Sequence, residues 1–359
     1  MTMATTRVYR AGALVKIGEV EVPPQRQPIT FLSSSLTSAE EIPLKYALTK
    51  MTTAKPAHQG TGIFPADLPF GRSAIFKDSS FFHLNGPDSV LPSPVEVVAE
   101  ARRRGMETEF HPRPLHYPSL GLTVKYGRNV STAEGQCLWA VRQSLGDTVP
   151  VPEVYGWTVE ADVSYIYMEY IPGDTLIYRW GSLSESEKQD ICGQLRMMVD
   201  SLRSLKQPNG EKFIGTISRE PLLDHAFTTS SAPPMGPFAS VEEFHDLFAK
   251  LPRPYNRDPS DPPHPFRVHL PDDVPIVFTH ADLHRGNIII SPPTEGERPR
   301  VKAIVDWGQS GWYPSYWEHC KALWTGSPTE EWNTIYIPLF VDPFDRYDYW
   351  DYFLLSMGV

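Results

Sequence analysis

Residues 278–290 (FTHADLHRGNIII) place a polar loop between two apolar runs, 276–279 and 288–291. Runs of four residues are too short for helices and suit buried strands. A chain built this way presents the loop from the ends of two strands. The loop reads His280-x-Asp282-x-x-x-x-Asn287, so a carboxylate is followed five residues on by a carboxamide. A polar turn, 292–300, leads to a third apolar run, 301–305, which ends in Asp306-Trp307-Gly308, with Asp306 nineteen residues past Asn287. Phosphoryl transfer uses this set. One carboxylate orients an attacking hydroxyl and takes its proton, while an amide oxygen and a second carboxylate hold metal on nucleotide phosphates.

Upstream, the punctuation is clear. Ser93-Pro94-Val95-Glu96 opens a helix with a cap, a first-turn proline and a box glutamate, and Gly105 closes it. A strand is expected near 122–126. Ser131 and Glu134 predict a second capping box, ahead of a helix with Leu138, Val141 and Leu145 on one face. Residues 163–171 (VSYIYMEYI) read as a strand ending at Pro172-Gly173. Ser184 and Glu187 cap a long helix striped with Ile191, Leu195, Met198, Leu202 and Leu205, which Pro208-Asn209-Gly210 ends. Ser240 and Glu243 cap a shorter one. Residues 252–275 are proline-rich and read as a loop. The aromatic tail, 312–359, reads as partly helical, its Trp and Tyr side chains forming core.

The order is thus a small strand-containing part, a connecting strand, and a mostly helical part. Residues 1–90 carry Ser, Thr and Pro clusters without sustained periodicity, and an N-terminal extension that is poorly ordered or loosely packed is expected there. Within it, residues 7–18 (RVYRAGALVKIG) resemble a small hairpin. Lys plus Arg is 33 against 43 Asp plus Glu, a net charge of −10, which argues against a nucleic-acid partner. No apolar run is long enough to span a bilayer, so no membrane partner is expected. Three cysteines far apart, with no CxxC pair, suit a reducing, cytoplasmic location.

These motifs resemble the aminoglycoside phosphotransferase family of the protein-kinase-like fold, in particular its fungal-type members. The match runs over about residues 90–359 and is sharpest in 278–308. The resemblance implies an α+β, two-lobed fold: a small β-rich N-lobe (91–170) that binds nucleotide, and a larger helical C-lobe (171–359). It implies ATP and Mg²⁺ as cofactors. Carried over by position, Asp282 is the catalytic base, Asn287 and Asp306 hold metal, and His280 supports the loop. Lys125, in Thr123-Val124-Lys125-Tyr126-Gly127, contacts nucleotide phosphates, and Glu134, nine residues on, pairs with it. Met168-Glu169-Tyr170-Ile171 is the hinge, with Met168 lining the base pocket and the backbone of Glu169 to Ile171 bonding adenine.

The function implied is an ATP- and Mg²⁺-dependent O-phosphotransferase acting on a small-molecule hydroxyl, amine-bearing acceptors included. One departure keeps a second reading open. Residues 110–121 (FHPRPLHYPSLG) hold no Gly-rich loop, and proline removes the N–H groups such a loop offers to phosphate. A kinase-like pseudoenzyme or binding module is the alternative. A protein kinase is disfavoured, because no Ala-Pro-Glu motif follows Asp306.

Overall fold

The computed structural model describes residues 62–358, apart from 64, 107–112, 147, 208–209, 228–233 and 253–261. The expected hairpin at 7–18, and parts of the 110–121, 208–210 and 252–275 readings, lie outside the described residues.

Strand periodicity builds the first layer. β1 (Ser73–Ile75), β2 (Leu115–Tyr117), β3 (Leu122–Gly127), β4 (Val154–Glu160) and β5 (Val163–Glu169) form an antiparallel sheet in the order β1-β4-β5-β3-β2. Alternation divides its faces. Leu122, Val124 and Tyr126 of β3 join Tyr165 and Tyr167 of β5 on one face, covered by α1 (Ser80–Asn85) and α2 (Pro94–Arg103) through Phe81, Phe82, Val97 and Ala101. Thr123 and Lys125 point to the other face. There α3 (Thr132–Leu145) packs Cys137, Leu138 and Val141 against Trp157 and Ile166.

Beyond β5 come β6 (Asp174–Thr175), α4 (Leu176–Arg179), α5 (Glu185–Ser204) and α6 (Val241–Phe248). β7 (Ile276–Thr279), β8 (Ile288–Ile290), β9 (Val301–Ile304) and β10 (Gly311–Pro314) follow, then α7 (Trp317–Trp324), α8 (Ile337–Phe340) and α9 (Tyr347–Met357). The short strands make two small sheets, β10-β7 and β6-β8-β9, which hold the two ends of the polar loop in place. The capping boxes at Ser93/Glu96 and Ser184/Glu187 are both complete. Aromatic burial dominates the C-terminal part: Trp312, Trp317, Trp332 and Trp350 are all at most 2% exposed, so this cluster is core. The architecture is α+β.

Two expectations are corrected. The extension was expected to reach residue 90. Instead β1 pairs with β4, Ser73 opposite Thr158, and Phe81 and Phe82 are 2% exposed. A three-residue strand is too short to show periodicity, which is why the sequence hides it. Residues 1–61 lie outside the described residues. The box at Ser131 is half formed: its Oγ accepts from the Ala133 N–H, but Glu134 turns elsewhere.

Candidate active site

Glu134 turns to Lys125. The Lys125 Nζ donates to both Glu134 oxygens, at 2.9 and 2.7 Å, and to Asp306 Oδ1 at 2.6 Å. The Trp307 backbone N–H also donates to the Glu134 carboxylate. One lysine thus joins the sheet, the first turn of α3 and the end of β9. Burial alone would lower the Lys125 pKa, but Glu134 and Asp306 outweigh it and hold the ammonium above its ordinary range. Burial likewise pushes Asp306 up, and Lys125 overcomes it and holds the carboxyl below its usual range. Asp306 sits in the left-handed region, φ 66°, a conformation that costs a non-glycine residue roughly 1–2 kcal/mol and is kept by its surroundings.

The loop between β7 and β8 is held from beneath. His280 is fully buried. Its Nδ1 accepts from the Asp282 N–H at 3.2 Å, so Nε2 carries the proton and donates to the Val305 carbonyl at 3.1 Å. Burial lowers its pKa to about 4, and its ring meets Trp307 edge-on at 4.6 Å. Glu318 of α7 accepts from the backbone N–H groups of His280 (2.7 Å) and Ala281 (3.3 Å). Burial pushes the Glu318 carboxyl up to about 7.

Asp282 itself is side-chain 16% exposed and is fixed by Asn287, whose Nδ2 donates to the Asp282 carbonyl at 2.9 Å and to Oδ2 at 3.0 Å. That leaves Asn287 Oδ1 as the atom able to hold a metal. Burial pushes the Asp282 carboxyl up to about 6. Lys321 opposes the shift and Asp306 adds to it. A carboxylate poised near neutral pH can take and return a proton. Asn287 Oδ1 and Asp306 are hard oxygen donors, the type that suits Mg²⁺. Among the described residues, no group of three or more His, Cys, Asp and Glu is arranged to hold a metal ion.

Arg285 is a brace. It pairs with Glu330 and lies over the rings of Trp180 (5.8 Å) and Trp332 (5.4 Å), the latter in the π-helical turn Trp332–Tyr336.

The hinge is only partly as expected. Met168 is 6% exposed and pairs with Thr123, two residues before Lys125, on the same face of the sheet. The backbone N–H of Glu169 already donates to the Glu153 carbonyl (2.8 Å), and that of Tyr170 to the Gly121 carbonyl (3.0 Å). Of the N–H groups in the expected hinge stretch 169–171, that of Ile171 is the one without a backbone partner among the described residues.

Sequence reasoning missed Glu318 and a buried cluster behind the loop. Lys321, also on α7, donates to Asp224 Oδ1 at 2.6 Å and Gln309 Oε1 at 3.1 Å, and both charged side chains are 0% exposed. Trp317 Nε1 and the Ala226 N–H complete Asp224 at 2.8 and 2.9 Å. The residues come from three distant segments, and no local pattern marks them.

Residues 132–352 match the model of the phosphotransferase enzyme family, APH. Among solved structures, a thermostable mutant of aminoglycoside phosphotransferase APH(4)-Ia in ternary complex with AMP-PNP and hygromycin B is 16% identical. That alignment covers 66% of this chain and 76% of that one, with a TM-score of 0.43. An aminoglycoside-3'-phosphotransferase of type VIII is 15% identical, covering 72% and 98%, with a TM-score of 0.41. A search of curated proteins found no match. Among the described residues, no helix is long and apolar enough to cross a membrane.

Proposed function

The chain belongs to the phosphotransferase enzyme family, and on that premise we propose that it is an ATP- and Mg²⁺-dependent O-phosphotransferase acting on a small-molecule hydroxyl. One observation carries the reading. Lys125, Glu134 and Asp306 are joined by direct hydrogen bonds, and Asp282 and Asn287 are bonded to each other on a loop whose far strand, β8, pairs with β9 just before Asp306.

In this reading Lys125 contacts nucleotide phosphates, with Glu134 fixing its position. Asn287 Oδ1 and Asp306 would hold Mg²⁺, phosphate oxygens completing its shell; the metal would supply charge neutralisation on the transferring group. Asp282 orients the acceptor hydroxyl and takes its proton. Asn287 Nδ2 and the buried Glu318 below keep that carboxylate in one place. Positioning supplies much of the rate, since a loose phosphoryl transition state asks little covalent chemistry of the protein. The base would rest on Thr123 and Met168, with the Ile171 N–H as hinge donor. The APH(4)-Ia structure named above is a complex with AMP-PNP and hygromycin B; for this chain, amine-bearing acceptors, sugars and other hydroxyl compounds are all candidates.

A non-catalytic nucleotide-binding module is the second reading. The sequence of residues 110–121 favours it, because no Gly-rich loop is there to offer N–H groups to the transferring phosphate. The test is thermal unfolding with and without Mg²⁺-ATP, for the wild type and Asp306→Asn, followed by ADP release across a hydroxyl-compound panel. Binding at about 100 times the dissociation constant adds ~2.7 kcal/mol. A Mg²⁺-dependent shift lost in the variant, with acceptor-dependent ADP release, supports the transferase. A shift without release for any acceptor supports the module. No shift removes both.

A further inference from the structure

The residues just before β1 do more than lead into the sheet. The Ile63 N–H donates to the Lys206 carbonyl, past the end of α5, at 3.1 Å. After the 3-10 turn Pro65–Asp67, Leu68 is 3% exposed. It belongs to the buried cluster that holds Cys137, Leu138 and Val141 of α3 with Leu202 and Leu205 at the end of α5. The Pro69 carbonyl accepts from Gln136 Nε2 of α3 at 2.8 Å, and the Gly71 carbonyl from Trp157 Nε1 of β4 at 3.0 Å. Gly71, at φ 107°, turns the chain between these two anchors. The Arg72 carbonyl then accepts from the Val159 N–H at 2.8 Å, and β1 begins. Residues 65–72 thus form a strap from α3 to the sheet edge, and Ile63 ties its start to α5.

Both anchors meet α3 directly behind Glu134. Gln136 follows Glu134 by two residues, and Trp157 packs on the residue between them: a Cβ on Gly135 would come within 2.9 Å of its ring. The start of α3 has little hold of its own. Ser131 caps one N–H, and the carboxylate that would complete its box is spent on Lys125. Placement matters there, because Lys125 has two carboxylates to share, Glu134 and Asp306. Were α3 to leave its seat, Glu134 would go with it. Lys125 would then stay on Asp306 alone, neutralising the carboxylate assigned to the metal.

We propose that Gln136 is a positioning residue for phosphoryl transfer: it docks α3 on the 65–72 strap, so that Glu134 stays on Lys125. The proposal rests on the phosphotransferase reading above. Gln136 acts through Glu134 and touches neither nucleotide nor acceptor. Its carboxamide suits the task, since it donates to a backbone carbonyl without adding a charge beside the Lys125–Glu134–Asp306 set.

The experiment labels the full chain with trace acetic anhydride, without nucleotide, and reads each lysine by peptide mass spectrometry against the exposed Lys302. The wild type, Gln136→Leu, Glu134→Gln and the double variant are compared. Leucine keeps the bulk of Gln136 and removes its donor. Lys125 should be labelled about three- to tenfold faster in Gln136→Leu, the factor that one lost hydrogen bond converts to. The double variant should be no faster than Glu134→Gln, because the group that Gln136 positions is already gone. Lys321, 0% exposed behind the catalytic loop, should keep its wild-type rate in Gln136→Leu. Calorimetry on the same protein should show Mg²⁺-ATP bound about three- to tenfold more weakly than by the wild type. Lys125 labelled at the wild-type rate in Gln136→Leu would overturn the proposal. So would Lys125 and Lys321 quickening together, which marks a general loosening, or faster labelling with Mg²⁺-ATP affinity unchanged. A wild type that binds no Mg²⁺-ATP would bring down the phosphotransferase reading itself, whatever the labelling shows.

Discussion

Replacing Lys321 with methionine should be among the most costly single changes in the C-terminal part of the chain. Lys321 and Asp224 are both fully buried and bonded at 2.6 Å. Methionine fills a similar volume but leaves Asp224 with only the Trp317 and Ala226 donors. Breaking a buried pair from one side costs about 3–5 kcal/mol, because the remaining charge stays out of water. Spread over the roughly 300 residues of the unit Gly60–Val359, at ~2.1 cal/mol/K per residue, the unfolding entropy is about 0.6 kcal/mol/K. The melting midpoint should therefore fall by about 5–8 °C. Adding Asp224→Asn removes the stranded charge while keeping an oxygen for Trp317 and Ala226. The double variant should recover at least half of the loss. Urea unfolding of the four proteins in the cycle gives the coupling, expected at about 2–4 kcal/mol. A single variant that loses under about 1 kcal/mol, or a double variant that loses the sum of both singles, would refute the argument that stranded charge sets the cost.

Asp282→Asn should abolish phosphoryl transfer while Mg²⁺-ATP binding stays within a few-fold of wild type; calorimetry beside a product assay checks it, and retained turnover removes the base assignment. With its carboxyl pushed up to about 6, Asp282 should give activity that is full above that pH and falls about tenfold per unit below it, read from initial rates between pH 5 and 8. His245, 0% exposed between Asp272 and Tyr316, has its pKa lowered to about 4 because burial outweighs the Asp272 carboxylate. The folded chain thus binds fewer protons than the unfolded one between ~6.5 and 4. Stability from this group is full above ~6.5 and falls as pH drops, by about 2 kcal/mol at pH 5, and chemical denaturation of His245→Asn should show a flatter profile. Gly193→Ala, in α5 with open space at its Cβ, should stabilise by about 0.5–1 kcal/mol; Gly156→Ala, whose Cβ would lie 2.5 Å from the Ala74 carbonyl, should destabilise by more than that. Equal effects in thermal melts would contradict the packing.

Much of this protein was written locally. Capping boxes at Ser93 and Ser184 mark helix starts because the N-terminal N–H groups of a helix must be satisfied by nearby side chains, and a box does so within four residues. The strands around the polar loop were legible because short apolar runs bounded by turns have few other places to go. Asp282 and Asn287 sit on one loop, so their pairing at 3.0 Å needed only that loop to form. Tertiary structure decided what distance along the chain conceals. Glu134 satisfies a local capping rule in sequence, yet a lysine on the neighbouring strand takes both its oxygens, since a charge buried at 2% exposure requires a countercharge more than a cap. β1 was invisible, because three residues carry no period and β4 alone defines them. Two hinge N–H groups, of Glu169 and Tyr170, go to the carbonyls of Glu153 and Gly121, an approach no motif foretells. Glu318, Lys321 and Asp224 have the least local signal of all. They are polar residues in apolar surroundings, kept there because each finds its partner about 40 to 100 residues away.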